Sequence, residues 1–194
     1  MKKFELLSEI IDDRQSIYPS SYTGERIDDD LIESLLSNAN KAPSHRHTEP
    51  WRFYVISDNA KNRFASFMQS AYKVKYLNNG FNEIKYRKIA QKIQMSSHLV
   101  VISMQRDINE SVPEWEEIAA VSCAVQNLYL SVSAAGLGGY WSTPGYLIDE
   151  AGAFFNMNEG EVCLGVFYLG VPKDDLPLKI VKRPVKDKVR WLKG

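Results

Sequence analysis

The sequence predicts an α+β domain in which helices cover the faces of a mixed β-sheet. Three observations carry this prediction. Apolar residues recur at helical spacing in two stretches near the N-terminus. Runs of β-branched and aromatic residues, such as WRFYVIS and HLVVIS, alternate with helical segments. The stretch from Ile118 to Ala135 is apolar or small almost all round, which is typical of a buried helix. We expect residues 1–194 to form a single domain.

Two helices are predicted first. One ends near Asp13, where DDRQSIYPSSYTG favours a loop. The next runs to about Lys41 and begins with three aspartates, which the positive end of the helix dipole stabilises. The residues expected on its buried face are Ile27, Leu31, Leu35 and Leu36.

WRFYVIS lacks a clear alternation, so it predicts a central strand that is covered on both faces. The stretch from Lys61 to Gln94 is polar and helical in propensity, and YLNNGFN interrupts it. We expect this stretch either to cover the core or to form a mobile flap. HLVVIS predicts a second strand.

The second half of the chain begins with Pro113, which suits the first turn of the long buried helix. GLGG predicts a left-handed end to that helix, and YWS continues as a strand before a Pro144-Gly145 turn. VCLGVFYLG predicts the last strand. The basic tail LKIVKRPVKDKVRWLKG could pair as an edge strand or wrap around a neighbour.

Charge and cysteine content exclude several classes of protein. Lysine plus arginine equals aspartate plus glutamate at 24 each, so no overall field favours nucleic acid or an anionic membrane. No stretch approaches the length of a membrane span, and we expect a soluble, cytoplasmic protein. Cys123 and Cys163 lie in apolar patterns, which predicts two small core residues in a reducing compartment.

The stretch APSHRHTEPWRF contains His45 and His47, two of the three histidines. Zinc sites take three or four protein ligands, and the third histidine, His98, has no cysteine or carboxylate at ligand spacing. We therefore expect no metal site. From the residues alone, this loop is either a solvated surface loop or a binding loop.

Four separated stretches share an order and spacing: RQS, KAPSHRHTEPWRF, the buried helix running into GLGGYWS, and GVFYLGVP. Together they resemble the nitroreductase family of FMN-dependent oxidoreductases, and the resemblance covers Leu6 to Pro172. PEWE strengthens the likeness to the short bacterial branch. The resemblance implies a mixed, mainly antiparallel sheet flanked by helices. It also implies a homodimer with FMN where the subunits meet, and a C-terminal tail that extends to the partner subunit.

The resemblance places Arg14 and Ser16 at the phosphate and ribityl end of FMN. An arginine offers a planar fork that binds phosphate oxygens through two parallel hydrogen bonds. Gln15 stands where the family usually has a second arginine, and its amide can bond polar edges of the flavin. Taken alone, RQS reads as an ordinary solvated helix end.

Further cofactor positions follow from the same resemblance. Lys41 and His45 match positions that contact FMN, with Lys41 in place of the usual arginine. His47 and Glu49 replace the asparagine and glutamine of many longer relatives.

GGYWST matches the segment along the flavin ring, so the resemblance implies contacts from Trp141, Ser142 and Thr143. Without the family, Trp141 reads as a core residue. The basic residues Lys182 and Arg183 could add charge for the phosphate. The nicotinamide cofactor is expected at the end of the buried helix, and helix packing explains the small residues there equally well. That region comprises Ser131, Val132, Ser133, Ala134, Ala135 and Gly136.

The expected activity is transfer of hydride from NAD(P)H, through bound FMN, to a small organic acceptor such as a nitroaromatic or a quinone, in two successive half-reactions. No catalytic side chain is expected, because the flavin carries the chemistry and no GxSxG or Cys-His signature is present. Two alternatives stay open. One is an FMN-binding protein of the same fold without turnover, and the other is an FMN-dependent oxidase or dehalogenase.

Overall fold

The structure is a computed structural model that describes residues 2–176, 179 and 181–193. The α-helices within these residues are α1 Lys3–Asp13, α2 Asp29–Ala39, α3 Ala60–Tyr76, α4 Glu83–Met95, α5 Glu114–Ala134 and α6 Gly145–Phe155. The strands are β1 Trp51–Ile56, β2 His98–Gln105, β3 Gly138–Ser142 and β4 Glu161–Gly170. Along the chain they follow in the order α1, α2, β1, α3, α4, β2, α5, β3, α6, β4.

The four strands form one sheet in the order β1-β2-β4-β3, and each of its three pairings is antiparallel. The predicted α+β class is confirmed. The prediction that β1 is a central strand was wrong, because β1 lies at an edge and exposes Arg52 and Val55. Apolar side chains on both faces of a strand indicate that both faces are covered. They do not indicate whether one or both edges of the strand pair with another strand.

Helices cover both faces of the sheet. The side chains of β2 alternate between them: Leu99 and Val101 pack with α3, α4 and α6, whereas Val100 and Ile102 pack with α2 and α5. The predicted helical stretch from Lys61 to Gln94 is confirmed as two helices, and both bury apolar residues against the core.

Two predictions about helix faces need correction. On α2 the buried residues are Ile32, Leu35 and Ala39, and Leu31 is exposed. On α5 the apolar stripe is buried, but a second stripe of small residues faces outward, and Cys123 on it is exposed. Small side chains occur both in cores and on surfaces, so the sequence did not distinguish the buried face of α5 from its exposed face. Cys163 is buried as predicted, and its burial raises its pKa to about 11.

Two further differences lie after β3. The Pro144-Gly145 pair begins helix α6 instead of forming only a turn, as proline tolerates the start of a helix. Of the basic tail, residues 178–194, the structure describes 179 and 181–193, and these form no strand. Of the two alternatives, the edge strand therefore does not form there, and wrapping around a neighbour stays a prediction. An ion pair between Lys179 and Asp13 brings the tail to the end of α1.

Candidate functional site

Tyr129, on α5, joins two of the stretches expected to bind a cofactor. Its hydroxyl accepts a hydrogen bond from the backbone N–H of Trp141 at 2.7 Å and lies 3.3 Å from Ser16 Oγ. The guanidinium carbon of Arg14 lies 5.3 Å from the centre of the Tyr129 ring, at cation–π distance. The structure therefore brings Arg14, Ser16 and Trp141 together. Sequence reasoning missed Tyr129, whose one signal was a phenol on an otherwise apolar helix.

The segment after α1 runs along the start of β3. The Ile17 N–H donates to the Gly139 carbonyl at 2.9 Å. Tyr22 anchors the segment, since its hydroxyl donates to the carbonyls of Ile17 and Tyr168. A Cβ on Gly170 would lie 2.3 Å from the Tyr22 ring, so this packing requires a glycine there.

Beyond Ser16, the chain passes to the face of β3 that packs toward α4. The rings of Tyr18 and Tyr140 lie there with 4.4 Å between their centroids. Lys92 of α4 approaches the same side, with its ammonium 5.9 Å from the centre of the Tyr140 ring. The edge of β3 therefore has Arg14 and Ser16 on the α5 side, and Lys92 on the α4 side.

The loop that carries His45 and His47 is held by a specific side-chain contact and is not simply a solvated surface loop. His45 Nδ1 lies 2.6 Å from Glu116 Oε2, and the side chains are 58% and 24% exposed. Arg46, His47 and Glu49 all have positive φ, which is unfavourable for residues with a Cβ. Backbone strain of this kind clusters at functional sites. Glu116 belongs to PEWE, which sequence reasoning used as a family marker without recognising it as the partner of His45.

The predicted cofactor residues fall into two groups along α5. Glu116, which contacts His45, and Tyr129, which contacts Ser16, lie thirteen positions apart on the helix, or about 20 Å. Lys41 is exposed, and its ammonium donates to Asn38 Oδ1 at 3.3 Å. A single chain therefore does not bring His45 to Arg14.

The stretch expected to bind the nicotinamide cofactor is the last turn of α5 and its cap. Gly136 has φ +70°, which confirms the predicted left-handed helix end. Val132 is buried in the core. A groove of about 400 Å³ runs between this turn, α1 and α2, and none of the described residues that line it is charged. Its lining includes Ser131, Ala134, Ala135, Leu7, Ile10 and Leu31.

His98 has a structural environment. It is buried, with Nε2 2.9 Å from Asp29 Oδ1 and Nδ1 2.9 Å from Ser97 Oγ. The hydrogen bond from His98 to Asp29, together with the one from Arg26, holds the pKa of Asp29 below its usual range. In the described part of the chain, no three or more histidine, cysteine, aspartate or glutamate side chains are gathered for a metal ion. Nor is any described helix long and apolar enough to cross a lipid bilayer.

Comparison with known protein families gives a match between residues 11–171 and the model of the Nitroreductase family. The chain belongs to the nitroreductase family. Among curated relatives, the Bacillus subtilis (strain 168) protein YfhC, provisionally named an NAD(P)H nitroreductase, is 29% identical over 189 residues. That alignment covers 94% of this chain and 92% of YfhC.

Solved structures share the nitroreductase fold. A nitroreductase-like family protein from Bacillus cereus has a TM-score of 0.81 at 21% identity and covers all of both chains. The FMN-dependent nitroreductase NfnB from Mycobacterium smegmatis, in complex with NADPH, has a TM-score of 0.78 at 15% identity and covers 98% of this chain and 100% of NfnB. Iodotyrosine deiodinase bound to FMN and 3-iodo-L-tyrosine has a TM-score of 0.72 at 21% identity. The match covers 97% of this chain and 100% of the deiodinase chain.

In this nitroreductase-family chain, the end of β3 is only partly buried. Ser142 is half-buried and Thr143 is exposed. The Trp141 indole packs with the α5-side core, and its buried Nε1 has no hydrogen-bond partner among the described residues. A Cβ on Gly165 would lie 3.0 Å from that nitrogen. The strand end therefore offers a partly open surface beside a donor that has no partner among the described residues.

Two basic residues of the tail, Lys182 and Arg183, are both exposed and form no ion pair within the described chain. An ion pair joins Lys179 of the same tail to Asp13, the residue directly before Arg14. The assignment of Arg183 to the cofactor stays a prediction.

Proposed function

We propose that this chain is an FMN-dependent oxidoreductase that takes hydride from NAD(P)H and passes it to a small organic acceptor. One observation carries the proposal: Tyr129 binds Ser16 and Trp141 while its ring packs against Arg14, so the RQS stretch and the YWS strand meet. Family membership supports it, as do the solved relatives that are described as FMN-dependent or bound to FMN.

The residues present fit a flavin mononucleotide. Arg14 is half-buried and has no carboxylate partner within the described residues, so its guanidinium is available to a phosphate dianion. Ser16 adds a neutral donor beside it. No GxGxxG dinucleotide fingerprint is present in the sequence, which favours a mononucleotide.

The chain's own residues bind and orient. Arg14 and Ser16 hold the phosphate end, and the end of β3, from Trp141 to Thr143, supports the ring. Glu116 fixes the imidazole of His45 through the 2.6 Å contact. When bound, FMN supplies the hydride chemistry. Cys163 is not a nucleophile here, because it is buried and its pKa is raised.

A second copy of the chain would complete the site. His45 and Arg14 belong to groups about 20 Å apart along α5. Helix α1 has no buried residue and exposes Phe4, Leu6, Leu7 and Ile11. We propose a homodimer in which α1 and the tail pack on the partner and each flavin lies where the subunits meet. Large apolar patches on a monomer commonly mark such interfaces.

Reductive dehalogenation is a second candidate for the same site. It is favoured by the likeness in fold to iodotyrosine deiodinase bound to 3-iodo-L-tyrosine. Screening nitroaromatic, quinone and halogenated phenol acceptors separates it from the first candidate. Steady NAD(P)H consumption with any of these acceptors excludes a flavin-binding protein without turnover.

The deciding experiment is the absorption spectrum of the purified protein before and after anaerobic addition of NAD(P)H. We expect a yellow protein whose flavin bleaches and, after denaturation, is released as FMN. Finding FAD, or no flavin after reconstitution with FMN, would contradict the proposal.

A further inference from the structure

Helix α4 carries three lysines on one face, Lys85, Lys88 and Lys92, at spacings of three and four residues. All three line a cavity of about 280 Å³. The other residues of its lining are Tyr72, Ile89, Ser142, Pro144, Tyr146 and Tyr168. We call this space the lysine cavity.

The charge of the lysine cavity is not neutralised within the described chain, where none of its three lysines pairs with a carboxylate. The carboxylates nearby already have partners. Asp149 pairs with Lys75, and Glu83 pairs with Arg87. The protein as a whole has equal numbers of acidic and basic residues, so this concentration of positive charge is local.

The remaining lining residues are uncharged, and three of the six are tyrosines. Burial raises the pKa of Tyr146 to about 12, so its phenol stays neutral. The hydroxyl of Tyr72 accepts the Asn82 N–H at 3.0 Å, which fixes that ring. A volume of about 280 Å³ is slightly smaller than most ligand sites, which limits the ligand to a small molecule such as one with a single ring. Flat aromatic walls favour a flat aromatic ligand.

The lysine cavity opens beside the proposed flavin site. Ser142 and Pro144 form one of its walls, and Ser142 is the last residue of β3. A ligand held there lies next to the strand end that we propose supports the flavin ring. This is the position that an acceptor needs, because hydride transfer requires the reacting atoms to approach to about 3–3.5 Å.

We propose that the lysine cavity binds the anionic group of a single-ring aromatic acceptor, such as a benzoate carboxylate. The inference rests on the proposed function and adds the substrate class to it. Lys85 and Lys88 bind the carboxylate, and the tyrosine walls hold the ring. Lys92 also lies near Tyr140 at the proposed flavin site, so the test leaves it unchanged.

The test compares 4-nitrobenzoate with its neutral analogue 4-nitrobenzamide in the FMN-loaded protein. We expect kcat/KM to favour the benzoate and Lys85→Gln/Lys88→Gln to lower that preference about tenfold, as for lost charge-assisted hydrogen bonds. Arg63→Gln/Lys73→Gln is the matched control, because it removes two exposed charges from the neighbouring α3. Calorimetry with 4-hydroxybenzoate and 4-hydroxybenzamide gives a second readout that needs no turnover.

Several results would overturn the proposal. One is an equal kcat/KM for the benzoate and the benzamide in the unaltered protein. Another is a preference for the benzoate that is unchanged in the Lys85/Lys88 variant. A third is a loss of that preference in the Arg63/Lys73 control as large as in the Lys85/Lys88 variant. Weaker FMN binding by the Lys85/Lys88 variant would also overturn it, because the lysines would then serve the cofactor phosphate. Reduction of both acceptors without selectivity leaves the proposed function standing. Selective binding of 4-hydroxybenzoate without any turnover supports the anion site and contradicts the reductase.

Discussion

The guanidinium of Arg14 lies over the ring of Tyr129, with 5.3 Å between its carbon and the ring centroid. An arginine that packs on an aromatic ring can still bind an anion through the N–H groups at the edge of its guanidinium plane. A lysine in this place would lack both the flat face and the fork. The same tyrosine binds Ser16 and Trp141, so the orientation of the cation is coupled to β3.

Arg14→Ala should weaken FMN binding by roughly tenfold to a hundredfold, because it removes charge-assisted hydrogen bonds worth about 1.5–3 kcal/mol. Saturating FMN should restore most turnover, since other groups hold the ring. Fluorescence titration of the apoprotein at matched salt measures the affinity. Arg63→Ala removes an exposed arginine from α3 and serves as the control. Unchanged affinity in Arg14→Ala would show that RQS is only a solvated helix end.

Tyr129→Phe should destabilise the protein by about 1–3 kcal/mol, because the Trp141 N–H loses its acceptor. FMN binding should weaken as well, since Ser16 and β3 lose their common partner. Urea unfolding of the apoprotein measures the first effect and flavin titration the second. Tyr86→Phe is the control, as the Tyr86 hydroxyl makes no hydrogen bond within the described residues. Equal stability of the two variants would contradict the role of Tyr129.

His45→Ala should leave a turnover defect that excess FMN does not repair, because in the proposed site the imidazole orients the ring and does not hold the phosphate. Glu116→Ala should reproduce much of this defect, since the carboxylate fixes His45 at 2.6 Å. Steady-state kinetics at saturating FMN measures both. Glu114→Ala, in the same first turn of α5, controls for the loss of negative charge. Full rescue of His45→Ala by FMN would remove the distinction from Arg14→Ala.

Glu117→Ala should lower the free energy of unfolding by about 3 kcal/mol, the usual loss when one partner of a buried ion pair is removed. Its side chain is fully buried, pairs with Arg106 and accepts the Asp107 N–H at 2.9 Å. Breaking the exposed pair of Glu83 with Arg87 by Glu83→Ala should cost less than about 1 kcal/mol. Urea denaturation compares the two, and similar losses would contradict the difference in burial.

Asp29 should contribute to acid sensitivity. Its folded-state pKa is lowered by the hydrogen bond with His98 and by Arg26. A lowered pKa stabilises the fold fully above the unfolded-state value of about 3.9, and this stabilisation is lost as pH falls through the folded-state pKa. The stability difference between the unaltered protein and Asp29→Asn should therefore shrink on acidification below about pH 4. Thermal unfolding against pH measures it, with Asp30→Asn as control. A constant difference would contradict the linkage.

The sequence predicted most elements because their periodicity is local. The stripes of α1 and α5, the strand HLVVIS and the left-handed Gly136 each depend on residues close in the chain. The edge position of β1 depends instead on the pairing of β2 with β4, which lies far away in sequence. The exposed side of α5 was missed because small residues suit a core and an interface equally.

The candidate site divides in the same way. Arg14, Ser16 and Trp141 were predicted from motifs, and the structure places them together. Tyr129 and Glu116, which hold these motifs in place, were not predicted as site residues. Contacts between residues more than seventy positions apart, such as His45 with Glu116, leave no spacing that a single sequence can reveal.

The sheet order β1-β2-β4-β3 has a consequence for how the chain folds. No two paired strands are joined by a tight turn, since α3 and α4 lie between β1 and β2, and α6 lies between β3 and β4. The central pairing of β2 with β4 closes a loop that contains α5, β3 and α6. Such distant pairings raise contact order and slow folding, because loop-closure entropy is lost before the ladder forms. Because β4 pairs with both β2 and β3, the sheet can be completed only once the chain up to Gly170 is available.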